Sequence, residues 1–254
     1  MTEASASAAQ AAIVTGSASG IGAATVLELA RQGYRTVGID IEAEGAKAVA
    51  REAAKINRLE HRAIAADVSD EPALVAAFEQ AFTFLGRLDV LVTSAGVAET
   101  TPFMDIAAAT FRSVYDVNVV GTFLCIREAA KRMQPGARIC TIASVAGLRG
   151  GGLSGTAAYA ASKGGVLALT KSAARALAAS GIRVNTIAPG ATLTPMIAEH
   201  WKNEAHRTRV EGMSVLNRSA EAREIASGIA FLVSPAASAI TGSTLVADNG
   251  LMMY

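Results

Sequence analysis

Ala12-Ile13-Val14-Thr15-Gly16-Ser17-Ala18-Ser19-Gly20-Ile21-Gly22 is the stretch on which the fold turns. Its first four residues form the short apolar run that a buried strand requires. Glycines follow at 16, 20 and 22, and from Ile21 the pattern becomes that of an amphipathic helix. Glycine lets a strand-to-helix turn tighten and lets main chain approach a phosphate closely. The helix end behind such a turn presents unpaired N–H groups and the positive end of a dipole. Gly16, Ser19, Gly20, Ile21 and Gly22 are therefore the expected cradle for a dinucleotide pyrophosphate.

The same alternation continues along the chain. Strand candidates recur at 36–39, 63–66, 90–93, 139–142, 184–187 and 244–246. Helical patterns lie between them at 21–32, 43–57, 70–85, 105–134, 157–179 and 220–233. Seven strands interleaved with helices specify an α/β fold with a doubly wound, Rossmann-type parallel sheet and helices on both faces. The chain reads as one domain over 11–254 behind a flexible tail at 1–10. The segment 191–219 is long, charged and only partly helical in pattern, as a substrate lid would be.

Composition agrees. The 254 residues are 51% hydrophobic but only 5% aromatic, which suits small aliphatic side chains packed on a parallel sheet. A net charge of +1 gives no general attraction to nucleic acid or an anionic membrane. The two uncharged stretches, 4–27 and 225–247, are broken by glycine, serine or proline and read as neither leader nor membrane span. A cytoplasmic location is expected. Cys125 and Cys140 lack the spacing of a disulfide framework or a metal site, so they read as reduced core residues, and no metal is expected.

The second strand ends in Gly38-Ile39-Asp40. A carboxylate there can accept hydrogen bonds from the adenosine ribose hydroxyls and repel a 2′-phosphate. Ile41 and Glu42 follow it, and the Gly-rich turn holds no Arg or Lys, so NAD is expected over NADP. Asp40 can alternatively cap the next helix. Asp67, before Val68, can contact adenine or cap the helix that follows.

Tyr159-Ala160-Ala161-Ser162-Lys163 sets a phenol and an ammonium one helical turn apart on one face. A nearby cation lowers a phenol pKa toward the working range, which suits general acid–base chemistry at a carbonyl or alcohol.

With these motifs in place, the chain resembles the single-domain short-chain dehydrogenase/reductase family, over about 11–250. Thr15-Gly16-x-x-x-Gly20-Ile21-Gly22 is similar to that family's cofactor turn. Thr93-Ser94-Ala95-Gly96 stands where the family usually has Asn-Asn-Ala-Gly, with hydroxyls that can still hydrogen-bond. The resemblance implies a catalytic set of Asn118, Ser144, Tyr159 and Lys163. In it, Tyr159 is the acid/base and Ser144 donates to the substrate oxygen. Lys163 lowers the phenol pKa and bonds the nicotinamide ribose, and the Asn118 backbone holds a water leading to solvent. Ser94, Ala95, Gly96, Pro189, Gly190, Thr192 and Thr194 would join the cofactor site. Hydride transfer between NAD(H) and a secondary alcohol or ketone is implied, in a homotetramer. A 3-oxoacyl thioester reductase using NADPH and a non-catalytic NAD-binding sensor are the alternative readings.

Substrate contacts are expected from Ser144, Ala146 and Tyr159, from Arg149 and Leu153 in the Gly-rich loop 148–156, and from Met196 and Trp201 in the lid. Arg149 and the lid bases Lys202, Arg207 and Arg209 could attract an anion, or could simply be solvated.

Overall fold

The computed structural model describes residues 9–151 and 157–253. Its strands are β1 (Ala11–Thr15), β2 (Arg35–Asp40), β3 (Arg62–Ala65), β4 (Val90–Thr93), β5 (Arg138–Ile142), β6 (Arg183–Pro189), β7 (Thr192–Leu193), β8 (Ala220–Glu221) and β9 (Thr244–Ala247). Seven of these form one sheet in the order β3-β2-β1-β4-β5-β6-β9, every neighbouring pair parallel. All seven coincide with the expected strands to within a residue or two.

Period-2 alternation sorts each central strand between two layers. Ile13, Ile39, Leu91 and Ile139 face one side, against Leu74 and Phe78 of α3 (Glu71–Leu85), Leu124 of α5 (Thr122–Ala130) and Ala173 of α7 (Ala157–Leu177). Val14, Val92, Cys140 and Ile142 face the other, against Val26 and Leu29 of α1 (Gly20–Arg31), Ala53 of α2 (Ala43–Asn57) and Ile225 and Ile229 of α10 (Ala222–Leu232). Both faces of the sheet are thus covered, which is why the strands read as near-continuous apolar runs. Cys125 and Cys140 are buried and free, and burial pushes both thiols up to about 12.

The sheet order places the site. The chain steps outward from β1 through β2 to β3, then returns to the opposite side of β1 for β4. Ligands of such sheets bind in the crevice beyond the carboxyl ends of the strands at this reversal. The Gly-rich turn after β1 and the segment Ser94-Ala95-Gly96 after β4 both open there.

Three elements differ from the sequence reading. The helix expected over 105–134 is α4 (Ala108–Tyr115), a π-helical turn at Asp116–Gly121 and then α5. The helix expected from 220 starts at Ala222, because Ala220 and Glu221 pair with Thr192 and Leu193 as a small parallel ladder. That ladder closes the stem of the segment between them, which carries α8 (Pro195–Trp201) and α9 (Glu204–Glu211). Finally, Ser144 caps a one-turn helix, α6 (Val145–Arg149), within the loop before α7.

Candidate active site

A cleft of about 910 Å³ runs along the carboxyl ends of the strands. At one end it is walled by Gly16, Ser19, Gly20 and Ile21. The turn is held by close main-chain packing. Gly16 has φ +67°, and a Cβ on it would lie 2.6 Å from the Ala95 nitrogen. A Cβ on Gly22 would lie 1.8 Å from the Gly16 carbonyl oxygen, so Gly22 stands behind the turn and off the cleft wall. Ser19 makes no side-chain cap bond and the first turn of α1 contains no acidic residue. The amide end of α1 is therefore left for an anion, as a pyrophosphate cradle requires.

Asp40, Ile41, Glu42, Asp67 and Val68 wall the adjoining stretch. Asp40 Oδ2 accepts from the Ala18 N–H at 2.8 Å and Oδ1 from the Glu42 N–H at 2.9 Å. The carboxylate thus ties the Gly-rich turn to the exit of β2 while it faces the cleft. Asp67 Oδ1 accepts from the N–H and hydroxyl of Ser69, at 2.8 and 2.7 Å. The cap of α3 is Asp70, so of its two expected roles Asp67 is not the helix cap.

The middle of the cleft holds Ser94, Ala95, Gly96, Ser144, Tyr159, Lys163, Pro189, Gly190, Thr192 and Thr194. On α7, Tyr159 and Lys163 share one face as their spacing requires. Lys163 is only 5% exposed, its Nζ donates to the Ile142 carbonyl at 2.8 Å, and it sits 5.8 Å from the Tyr159 ring centre. Ser144 Oγ accepts from the Ala146 N–H at 3.1 Å and is hydrogen-bonded to the Tyr159 hydroxyl. With a lone pair occupied by Ala146 and its one proton directed at the Tyr159 oxygen, Ser144 reaches an oxygen in the cleft by turning its hydroxyl away from the phenol.

Burial pushes the Tyr159 phenol above its ordinary pKa, and the Ser144 bond pulls against that rise. The expected lowering of the phenol by Lys163 is not met in this geometry. Desolvation dominates, and it brings the Lys163 ammonium itself down to about 8.

Asn118 lies in the π-helical turn and is 1% exposed. Its Oδ1 accepts from the Val97 N–H at 2.8 Å, and its Nδ2 donates to the Val97 carbonyl and to Ser162 Oγ, both at 2.9 Å. Ser162 Oγ in turn donates to the Tyr159 carbonyl at 2.8 Å. Asn118 is therefore behind the cleft wall, clamping the loop after β4 to α7. A Cβ on Gly96 would meet Asn118 Oδ1 at 3.1 Å and Lys163 Nζ at 3.5 Å, so this glycine lets the two side chains close up.

Sequence reasoning missed Ser162 and Gly147. A Cβ on Gly147 would lie 2.6 Å from the Gly164 nitrogen, and this close crossing of α6 and α7 brings Ser144 to Tyr159. The signal available was a glycine three residues after Ser144 and another five after Tyr159. One expectation fails at β4, where Thr93 Oγ1 is buried without a hydrogen-bond partner. A side chain this short does not bridge the way an asparagine can, and Thr15 Oγ1 meets the Ala95 N–H at 3.3 Å instead.

Ala146, Met196 and Trp201 also line the cleft, joined by Ile197, Glu99, Thr100 and Glu199. Arg149 is exposed at the end of α6 and is not on the wall. The lid bases are not there either: Lys202 pairs with Glu199 at 2.7 Å and Arg207 with Glu211 at 3.9 Å. Leu153 lies outside the described residues.

Known proteins are similar to this chain in sequence and fold. Residues 16–252 match the family model described as Enoyl-(Acyl carrier protein) reductase. The cis-4-hydroxycyclohexanecarboxylate dehydrogenase of Sinomonas cyclohexanicum is 40% identical over 94% of this chain and 95% of its own. The D-threitol dehydrogenase of Mycolicibacterium smegmatis is 38% identical, over 94% of this chain and 91% of its own. A short-chain dehydrogenase from Burkholderia cenocepacia, solved in complex with NADP, superposes with a TM-score of 0.88 at 31% identity, covering 95% of this chain and 97% of that one.

Proposed function

The chain belongs to the short-chain dehydrogenase/reductase family, and from that premise we propose that it is an NAD-dependent dehydrogenase interconverting a secondary alcohol and its ketone. The observation that carries this reading is the Ser144–Tyr159 hydroxyl pair, which opens on the cleft with Lys163 one turn behind. Gly16, Ser19, Gly20 and Ile21 would hold the dinucleotide's pyrophosphate, Asp40 its adenosine ribose, and Gly190, Thr192 and Thr194 its nicotinamide end. Once bound, the nicotinamide accepts or supplies the hydride.

The side chains divide the remaining work. Ser144 donates a hydrogen bond to the substrate oxygen and fixes its place. Tyr159 takes the hydroxyl proton during oxidation and returns it to the alkoxide during reduction. Lys163 holds positive charge beneath the phenolate that forms, and Asn118 positions α7 against the loop after β4. The segment 191–219 acts as the substrate lid. Three carboxylates along the adenosine end, Asp40, Glu42 and Asp67, support NAD over NADP, since each would repel a 2′-phosphate. Exposed Val120 and Phe123, in the π-helical turn and on α5, suit assembly into a homotetramer, which sedimentation velocity would test.

Tyr159→Phe tests the assignment. Turnover of secondary alcohols with NAD+ is expected to vanish, while NAD+ binding measured by calorimetry is retained. Residual activity above a few per cent of wild type would remove Tyr159 from the acid/base role.

A further inference from the structure

Three non-glycine residues among those described have positive φ: Arg58, Asn217 and Asn249. Arg58 ends α2 as its left-handed cap. The other two lie on the two sides of one junction. Asn217 (φ +48°) is in the return limb of the lid, residues 213–219, and Asn249 (φ +58°) is in the turn after β9. Left-handed backbone favours glycine, so a side chain kept there needs a physical reason.

For Asn249 the reason is its amide. Its Nδ2 donates to the Arg218 carbonyl at 2.9 Å, while its own carbonyl accepts from the Leu216 N–H at 3.1 Å. One residue thus grips the limb on both sides of Asn217. A Cβ on Gly250 would lie 3.1 Å from the Val215 Cβ, so the next residue lets the limb seat closely. The limb is also joined to α9, since Glu211 Oε1 accepts from the N–H and hydroxyl of Ser219 at 3.1 and 2.8 Å. In turn α9 meets α8 through His206, edge-on to the Trp201 ring with centroids 5.8 Å apart. A shift of the limb is therefore passed to α8.

The same turn braces the cleft. The Gly190 N–H donates to the Ala247 carbonyl at 3.0 Å, and a Cβ on Gly190 would lie 2.8 Å from that of Asp248. The Asp248 carboxylate, buried, accepts from the Gly250 and Met252 N–H groups at 3.0 and 2.7 Å and stiffens the turn. Gly190 lines the cleft, as do Met196, Ile197 and Trp201 of α8. Residues 247–252 thus join the sheet-borne wall to the lid that lines the same cleft.

Resting on the dehydrogenase reading, we propose that Asn249 is a positioning residue, whose side-chain amide holds the lid in register with Gly190 and so sets the fit of the substrate.

Asn249→Gly removes the amide and keeps the left-handed backbone without strain. Asn249→Asp removes the donor and keeps the side-chain size. Hydrogen–deuterium exchange is measured on the whole protein, with residues 71–85 of α3 as internal control. Both variants are expected to speed exchange across 195–219 by about three- to tenfold, the equivalent of one net hydrogen bond, and to leave α3 unchanged. With NAD+ and cyclohexanol, cyclopentanol or isopropanol, KM for the alcohol is expected to rise by about the same factor with kcat not reduced. NAD+ affinity by calorimetry is expected to hold, because the β7–β8 ladder still fixes Thr192. Exchange across 195–219 at the wild-type rate, exchange accelerated equally in α3, or an unchanged KM despite faster exchange would each overturn the proposal. So would a loss of NAD+ affinity as large as the rise in KM, which would make Asn249 a brace of the cofactor wall alone. If the wild type turns over none of the alcohols, the dehydrogenase reading itself fails, and the exchange rates still decide whether Asn249 holds the lid.

Discussion

Removing the Asp40 carboxylate should do two separable things. Its oxygens accept from the Ala18 and Glu42 N–H groups at 2.8 and 2.9 Å, so Asp40→Ala strips two charge-assisted bonds from the Gly-rich turn and the β2 exit. Such bonds contribute about 1.5–3 kcal/mol each when buried, and these donors, Ala18 part-buried and Glu42 exposed, regain part of that from water, leaving a loss of roughly 1–3 kcal/mol. In a chain of this size that lowers Tm by about 2–8 °C. Binding of either cofactor suffers from this loosening alike, because the turn serves the pyrophosphate common to both. The charge effect is specific. Loss of the ribose contact weakens NAD by about 2 kcal/mol, roughly thirtyfold. Relief of repulsion at a 2′-phosphate favours NADP by about 1–3 kcal/mol after screening, with Glu42 and Asp67 still opposing it. The NAD:NADP ratio of kcat/KM should therefore fall by about 3–5 kcal/mol, roughly two to three and a half orders of magnitude, and Asp40→Asn, which keeps an acceptor oxygen without the charge, should fall between. Steady-state kinetics with both cofactors, alongside thermal melts, separates the two effects. A drop in Tm with the ratio changed less than about threefold would leave Asp40 as a staple of the turn and refute the cofactor argument.

Other residues give equally direct outcomes. Asn118→Ala removes three hydrogen bonds at a site 1% exposed and orphans both polar groups of Val97. It should cost about 2–4 kcal/mol by chemical denaturation and reduce kcat more than cofactor affinity; unchanged stability would contradict the clamp. Lys163→Met should abolish turnover yet leave the melting temperature at pH 7 level or higher, because a buried ammonium brought down to about 8 opposes folding at neutral pH; a strongly lowered Tm would show that the bond to Ile142 outweighs desolvation. His61 Nδ1 accepts from the Thr36 N–H at 3.2 Å and Nε2 meets Asn57 Oδ1 at 2.9 Å, so the folded ring is neutral, and burial lowers its pKa. The unfolded chain then binds the extra proton below about pH 6.5, so stability should be lost as pH falls from about 6.5 toward the folded value; an imidazole titrating at or above 6.5 by NMR would negate it.

The seven strands were legible because parallel strands buried on both faces need continuous apolar runs. The Gly-rich turn was legible because its backbone geometry excludes a Cβ at 16 and 22. Tyr159 and Lys163 could be paired from spacing alone, since a helix fixes what lies one turn away. Contacts between distant segments were not legible. Nothing in Val117-Asn118-Val119 announces a π-helical turn, or that Asn118 bonds the backbone of residue 97. The pKa of Tyr159 was misjudged for a related reason. Spacing reveals the cation nearby, but the depth of burial follows from how α6 and α7 cross at Gly147.

That burial explains why the two groups proposed for proton transfer need so much support. Desolvation raises the Tyr159 phenol and lowers the Lys163 ammonium, so each moves away from the charged form that chemistry would use. The fold tolerates both because neutral groups hold them: the Ile142 carbonyl accepts from the ammonium, and the Ser144 hydroxyl donates to the phenol oxygen. Neither partner carries charge, so neither locks a protonation state as a carboxylate would. A phenol and an ammonium that share a desolvated space, without a fixed counter-charge, respond to whatever dipole or charge next enters the cleft.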